Sequence, residues 1–111
     1  MIPQPTLHPH EILLSTIRHG LTELNRTKRT GGRTDAPLIA EGRAQAEEAR
    51  AAFADTPFDV AYSSSLKRAL ETARIIADLE PPRLIVDDLC IERDFGLMEG
   101  LTRAEINVKF P

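Results

Sequence analysis

Arg18, His19 and Gly20 stand where an apolar, β-prone run, Ile12 to Ile17, stops abruptly. Together they offer a specific chemistry. The imidazole is a potential nucleophile, the guanidinium fork beside it suits an anion, and the glycine lets the backbone turn tightly or approach a ligand closely. Further along, Ser63, Ser64 and Ser65 precede a helical pattern with Arg68 in its first turn. Serines that cap a helix, with an arginine at its N-terminus, describe an anion site. Glu92 opens a polar stretch punctuated by Gly96 and Gly100, with Met98 and Glu99 between them. Loops of this kind are commonly functional or disordered. Each feature also has a plainer reading, since strands commonly end in polar residues and arginines mostly lie on surfaces. Only their convergence at one place would make a site.

The elements that must bring them together follow from periodicity. Residues 12–18 read as a buried strand, which sets Arg18 and His19 at its carboxyl end, where ligands bind in open α/β sheets. From about Ala40 to Ala54, the residues Gly42, Ala46, Ala49 and Phe53 recur at helical spacing, with Arg43 and Glu47 placed to pair off that stripe. Pro57 breaks the helix, and Val60-Ala61-Tyr62 reads as a short strand leading to the three serines. A second helix, about Leu66 to Leu79, buries Leu66, Ala69, Leu70, Ala73, Ile76 and Ala77, with Arg68 off that stripe. Pro81 and Pro82 end it, Leu84-Ile85-Val86 makes a third strand, and Thr102 with Glu105 forms a capping box for a last short helix. Strands separated by helices predict an α/β fold with a mostly parallel sheet and helices on its faces, a three-layer α/β/α arrangement. With three evident strands, that sheet keeps open edges, and self-association into a homodimer is one way to cover them.

The totals narrow the classes. The chain has 111 residues, 41% hydrophobic and 28% charged, which suits one small globular domain. A formal net charge of −3 argues against a general nucleic-acid or membrane-surface partner, while leaving room for a local cationic pocket. A single cysteine, Cys90, fits a reducing setting. Residues 1–5 show no basic n-region or apolar h-region, and no run approaches membrane-spanning length, so a cytoplasmic protein is expected. Residues 1–11 read as a leader. Its His8-Pro9-His10 lacks a third ligand at metal-site spacing, so no metal is expected there. The basic stretch Arg26, Lys28, Arg29 and Arg33 around Gly31-Gly32 fits a grip on a phosphodiester backbone, a loop over a small anion, or a solvated loop.

The spacing of these blocks is more specific than any one of them. Arg18-His19-Gly20 after a strand, Asn25, Asp35-x-Pro37-Leu38 with Gly42 and Gln45-Ala46, Ser63-x-Ser65-x-x-Arg68-Ala69 with Thr72-Ala73, and Glu92 followed by Gly96 and Glu99-Gly100 occur in one order. In that order they resemble the histidine phosphatase superfamily, also called the phosphoglycerate mutase-like family, over about residues 12 to 110. The resemblance implies that residues 12–111 are the N-terminal part of such a domain and that His19 takes a phosphoryl group as a covalent phosphohistidine. It implies that Arg18 and Arg68 clamp the phosphoryl oxygens and that Glu92 is the general acid and then the base. It also implies that Thr22, Asn25 and Gly32, with Arg68, bind the substrate, and that neither cofactor nor metal is needed. The substrate implied is a small phosphorylated metabolite. The pattern of Glu92, Gly96 and Glu99-Gly100 is more similar to the phosphatase branch than to the mutases. Phosphoglycerate mutase-type transfer and a catalytically impaired phosphate-binding or self-associating module are the alternatives.

Three departures from the family pattern stand out. Leu21 occupies a position where Glu or Gln is usual, and Ile39 one where a capping Thr or Ser is usual. The family also completes its phosphate pocket with a second histidine on a later strand. The three histidines here are His8, His10 and His19, so neither that residue nor the later strands lie within these 111 residues, and the fold is expected to be incomplete.

Overall fold

A computed structural model describes residues 3–111. A one-turn helix, α1 (Glu23–Arg26), is followed by α2 (Ala40–Ala52), β1 (Ala61–Ser63), α3 (Lys67–Ala77), β2 (Leu84–Val86) and α4 (Arg103–Lys109). The strands β1 and β2 pair in parallel, with Ala61 opposite Leu84, Tyr62 opposite Ile85 and Ser63 opposite Val86. The crossover between them is α3, which packs on β1 and against α2. This is an incomplete α/β fold with a two-stranded parallel sheet. The helices and the two later strands lie within one to a few residues of the positions expected from periodicity, and Thr102 and Glu105 form the expected capping box on α4.

The run 12–18 departs from expectation. It joins no ladder, and its side chains are open to solvent, with Ile12 90% and Leu14 81% exposed. Strand propensity reports fit to a pleated, half-buried surface, and it forms a strand only where a neighbour supplies the facing N–H and C=O groups. Among the described residues, no strand lies beside 12–18. Only its exit is pinned, by Gly20 and Leu21.

The apolar core is small: Leu38, Ala46, Leu66, Ile76 and Leu84. Thr22, Ser63, Ser64, Arg68 and Thr72 are buried as deeply, so hydrogen-bonded polar groups share the centre with aliphatic ones. Two side-chain expectations change. Arg43 donates to the Leu38 carbonyl (3.0 Å) and reaches Glu71 of α3 (3.5 Å) instead of pairing with Glu47. The serines do not cap α3. Leu66 is its N-cap residue, and the carboxylate of Asp35 accepts the Lys67 N–H at 2.7 Å. A carboxylate brought by a distant loop suits the positive end of the helix better than a neutral hydroxyl does. Ser65 bonds instead to Asp88, and the Ser63 hydroxyl donates to the Ser64 carbonyl.

Candidate active site

The Arg18-His19-Gly20 turn is held by close backbone packing. A Cβ added to Gly20 would run into the Gly42 backbone of α2, and one added to Gly42 would run into the backbone of Leu21. Both positions therefore require glycine for approach rather than for an unusual dihedral. The Gly20 N–H donates to the Thr72 hydroxyl of α3 (3.1 Å), the Leu21 N–H to Gln45 of α2 (2.9 Å), and the Leu21 carbonyl accepts from Ile39 N–H (3.1 Å). These bonds fix the turn to both helices.

His19 is half-buried, with its Nδ1 2.7 Å from the Gly20 carbonyl oxygen. A carbonyl oxygen only accepts, so this contact assigns the proton to Nδ1 and leaves the Nε2 lone pair free. Burial, foremost, holds the imidazole below its usual pKa. Arg68 and Arg18 push the same way, while the Gly20 bond and Glu92 oppose them. The neutral ring is thus favoured near pH 7 with its nucleophilic nitrogen unprotonated.

Thr22 caps α1 and is buried. Its N–H and its hydroxyl both donate to Asn25 Oδ1 (3.0 Å each), and it accepts from the Asn25 N–H. With Oδ1 committed, the NH2 group of Asn25 is the part left for a ligand. Arg68 was expected off the buried stripe, yet it is 4% exposed. Its guanidinium donates to the carbonyls of Gly32 and, at 2.8 Å, of Thr34. Among the described residues neither Arg68 nor Arg18 forms an ion pair with a carboxylate. A buried cation satisfied only by neutral carbonyls is poised for an anionic ligand.

All of these groups face one cavity of about 250 Å³, lined by Arg18, His19, Thr22, Asn25, Gly32, Arg68 and Glu92, together with Leu24, Thr30, Gly31 and Phe95. The seven residues named from the sequence therefore meet. Gly31 belongs to the glycine pair that marked a loop over a small anion, whereas Leu24, Thr30 and Phe95 carried no sequence signal beyond lying near named residues. Glu92 is exposed at the rim, where its Oε1 accepts the Arg93 N–H (2.7 Å) and its carbonyl accepts from Arg33 Nε (3.1 Å). Ser63, Ser64 and Ser65 stay outside the cavity, and the first N–H of α3 is already taken by Asp35. The expected serine-lined helix terminus is thus not part of the site, which draws on Arg68 alone from that block. The basic stretch is largely spent on structure: Arg26 pairs with Glu23, and Arg29 with the Gly100 carbonyl (2.8 Å) and Glu105 (3.0 Å). His8 and His10 are exposed, and among the described residues no group of His, Cys, Asp and Glu is placed to hold a metal. Among the described residues no helix is long and apolar enough to cross a membrane.

The sequence pattern of the histidine phosphatase superfamily (branch 1) matches residues 14–111. The chain belongs to that superfamily. It is 39% identical over 101 residues to 2,3-bisphosphoglycerate-dependent phosphoglycerate mutase 2 of Gloeobacter violaceus, covering 88% of the chain and 46% of the relative. It is 40% identical over 96 residues to an uncharacterized phosphatase of Bacillus subtilis, covering 86% and 49%. Among solved structures, it superposes on a mycobacterial glucosyl-3-phosphoglycerate phosphatase complexed with VO3 at a TM-score of 0.74 and 33% identity, over 84% of this chain and 46% of that one. The chain thus spans about half the length of the curated relatives it matches. Its relatives bear the names of both phosphatases and mutases.

Proposed function

We propose that the cavity performs phosphomonoester hydrolysis through a phosphohistidine on His19, acting on a small phosphorylated metabolite. The observation that carries this reading is the His19 ring, with Nδ1 held by the Gly20 carbonyl and Nε2 free beside two arginines that form no ion pair with a carboxylate among the described residues. In the first step the Nε2 lone pair attacks phosphorus and the P–O ester bond breaks. Arg18 and Arg68 neutralise the equatorial oxygens, with donors of the Asn25 amide beside them. Glu92 gives its proton to the departing alkoxide. In the second step Glu92 takes a proton from water, the water oxygen bonds to phosphorus and the P–N bond breaks, returning neutral His19 and phosphate. The leaving group enters from the open rim where Glu92 stands. In this reading residues 12–111 are the N-terminal part of the domain, the lone Cys90 accords with a cytoplasmic setting, and neither metal nor cofactor takes part.

A second reading is a phosphate-binding or self-associating module with impaired turnover. It is favoured by one observation, that Glu92 stands exposed at the rim with its Oε1 already accepting the Arg93 N–H. The exposed Tyr62 and Val86 of the paired strands support self-association along the sheet. Phosphoryl transfer to an acceptor alcohol, as the mutase-named relatives suggest, would use the same first step.

Intact-protein mass spectrometry after brief incubation with a generic phosphoryl donor, quenched without acid, separates these readings. A phosphoryl adduct that disappears in His19→Ala, together with phosphate release, supports hydrolysis. An adduct without release supports the impaired module. Phosphate release that is equal in both proteins removes His19 as the nucleophile.

A further inference from the structure

The cavity wall at Gly32 is gripped from two sides. On one side Arg68 donates to the carbonyls of Gly32 and Thr34. On the other side lies Glu99, whose carboxylate accepts three bonds. They come from the Thr34 hydroxyl at 2.5 Å, the Arg33 N–H at 3.2 Å and the Phe95 N–H at 3.1 Å. We infer that Glu99 is a positioning residue, whose carboxylate clamps residues 32–34 to the Glu92–Phe95 segment and so holds both walls of the phosphate cavity in register. The clamp rests on geometry alone; its consequence for ligand binding rests on the functional reading above.

Three observations make this more than a surface hydrogen bond. The three donors belong to two segments far apart in sequence, both of which line the cavity. Gly32 has a left-handed φ of +54°, and a Cβ there would approach the Glu99 carboxylate carbon to 2.8 Å and the Phe95 ring to 2.9 Å, so the loop is moulded to Glu99. The Thr34 hydroxyl foremost, then the Arg33 and Phe95 N–H groups and the Asp94 side chain, hold the Glu99 carboxyl well below the usual range, at about 2, so the clamp stays ionised at ordinary pH. The remainder of the loop has a separate anchor, because Thr30 exchanges backbone bonds with residues 100–101 (the Thr30 N–H donates to the Leu101 carbonyl at 2.9 Å and the Gly100 N–H to the Thr30 carbonyl at 2.8 Å). Loss of Glu99 should therefore free residues 33–34 without freeing Thr30.

The test compares the unaltered chain with Glu99→Leu and Thr34→Val by amide hydrogen exchange and by binding of inorganic phosphate. Leucine keeps much of the bulk but accepts from none of the three donors, whereas a glutamine could still accept both N–H groups and donate to the Thr34 hydroxyl. In Glu99→Leu, exchange should accelerate at Arg33 and Phe95 but not at Thr30, and phosphate affinity should fall by about tenfold, the scale of one charge-assisted hydrogen bond. Thr34→Val, which deletes one of the three bonds, should give a smaller change in both. Unchanged exchange at Arg33 and Phe95 would overturn the clamp. Faster exchange with unchanged phosphate affinity would overturn the positioning role. A wild-type protein that binds no phosphate would sink the functional reading instead, while the exchange comparison would still decide the clamp.

Discussion

The Gly20 N–H and the Thr72 hydroxyl, 52 residues apart, meet at 3.1 Å, and the same hydroxyl donates to the Arg68 carbonyl at 2.7 Å. Thr72 therefore joins the turn that carries His19 to the helix that carries Arg68. Thr72→Val keeps the shape and removes the acceptor, leaving a buried N–H unpaired. A loss of about 1–3 kcal/mol in denaturant unfolding is expected, with Thr72→Ser recovering most of it. Valine as stable as threonine would show that the bond carries no weight.

Gly42→Ala sets two effects against each other. Alanine in a helix interior is favoured over glycine by about 1 kcal/mol. Here the added methyl would overlap the Leu21 backbone, which cannot swing aside as a side chain does. Overpacking of about 1–3 kcal/mol should win, so the variant unfolds at lower temperature and binds phosphate more weakly. A stabilised variant would mean that α2 does not press on the His19 turn.

His19 should titrate below 6.5, the ordinary value, because burial and the two arginines disfavour the imidazolium. The folded value being the lower one, the neutral ring contributes stability above pH 6.5, and this is lost as pH falls through the folded value. Long-range proton–nitrogen NMR should report the neutral ring protonated at Nδ1 near pH 7. Arg18→Ala should move the titration upward. A ring protonated at Nε2 would remove the proposed nucleophile.

Asp35→Ala should shorten α3 from its first turn. Its carboxylate takes the Lys67 N–H at 2.7 Å, and loss of such a cap is worth about 1 kcal/mol. Asp35→Asn should recover much of that, as its amide oxygen still accepts. Because the helix start carries Arg68, phosphate binding should weaken in parallel with thermal stability.

Local order was legible where the cause is local. The stripes through Gly42 and Ala46 and through Leu66 and Ile76, the strand at Leu84–Val86 and the Thr102–Glu105 box each depend on residues a few positions apart, so periodicity and capping chemistry suffice to place them. The family blocks likewise named seven residues that share one cavity. Whether a residue is buried, and by what it is held, is set by chain segments tens of residues away. Arg68, read as lying off the core stripe, is buried because carbonyls 34 and 36 residues earlier take up its donors. Asp35 rather than a serine caps α3, and Glu99 closes the loop from 65 and 66 residues beyond its donors at Thr34 and Arg33. The run 12–18 has strand composition but no strand beside it. Sequence by itself determined the helices, the two later strands, the family and the residues to suspect, because these follow from residue type and short spacing. Tertiary structure alone decided which hydrogen-bonding groups face one another, because a donor's partner is chosen by the fold and not by its neighbours along the chain.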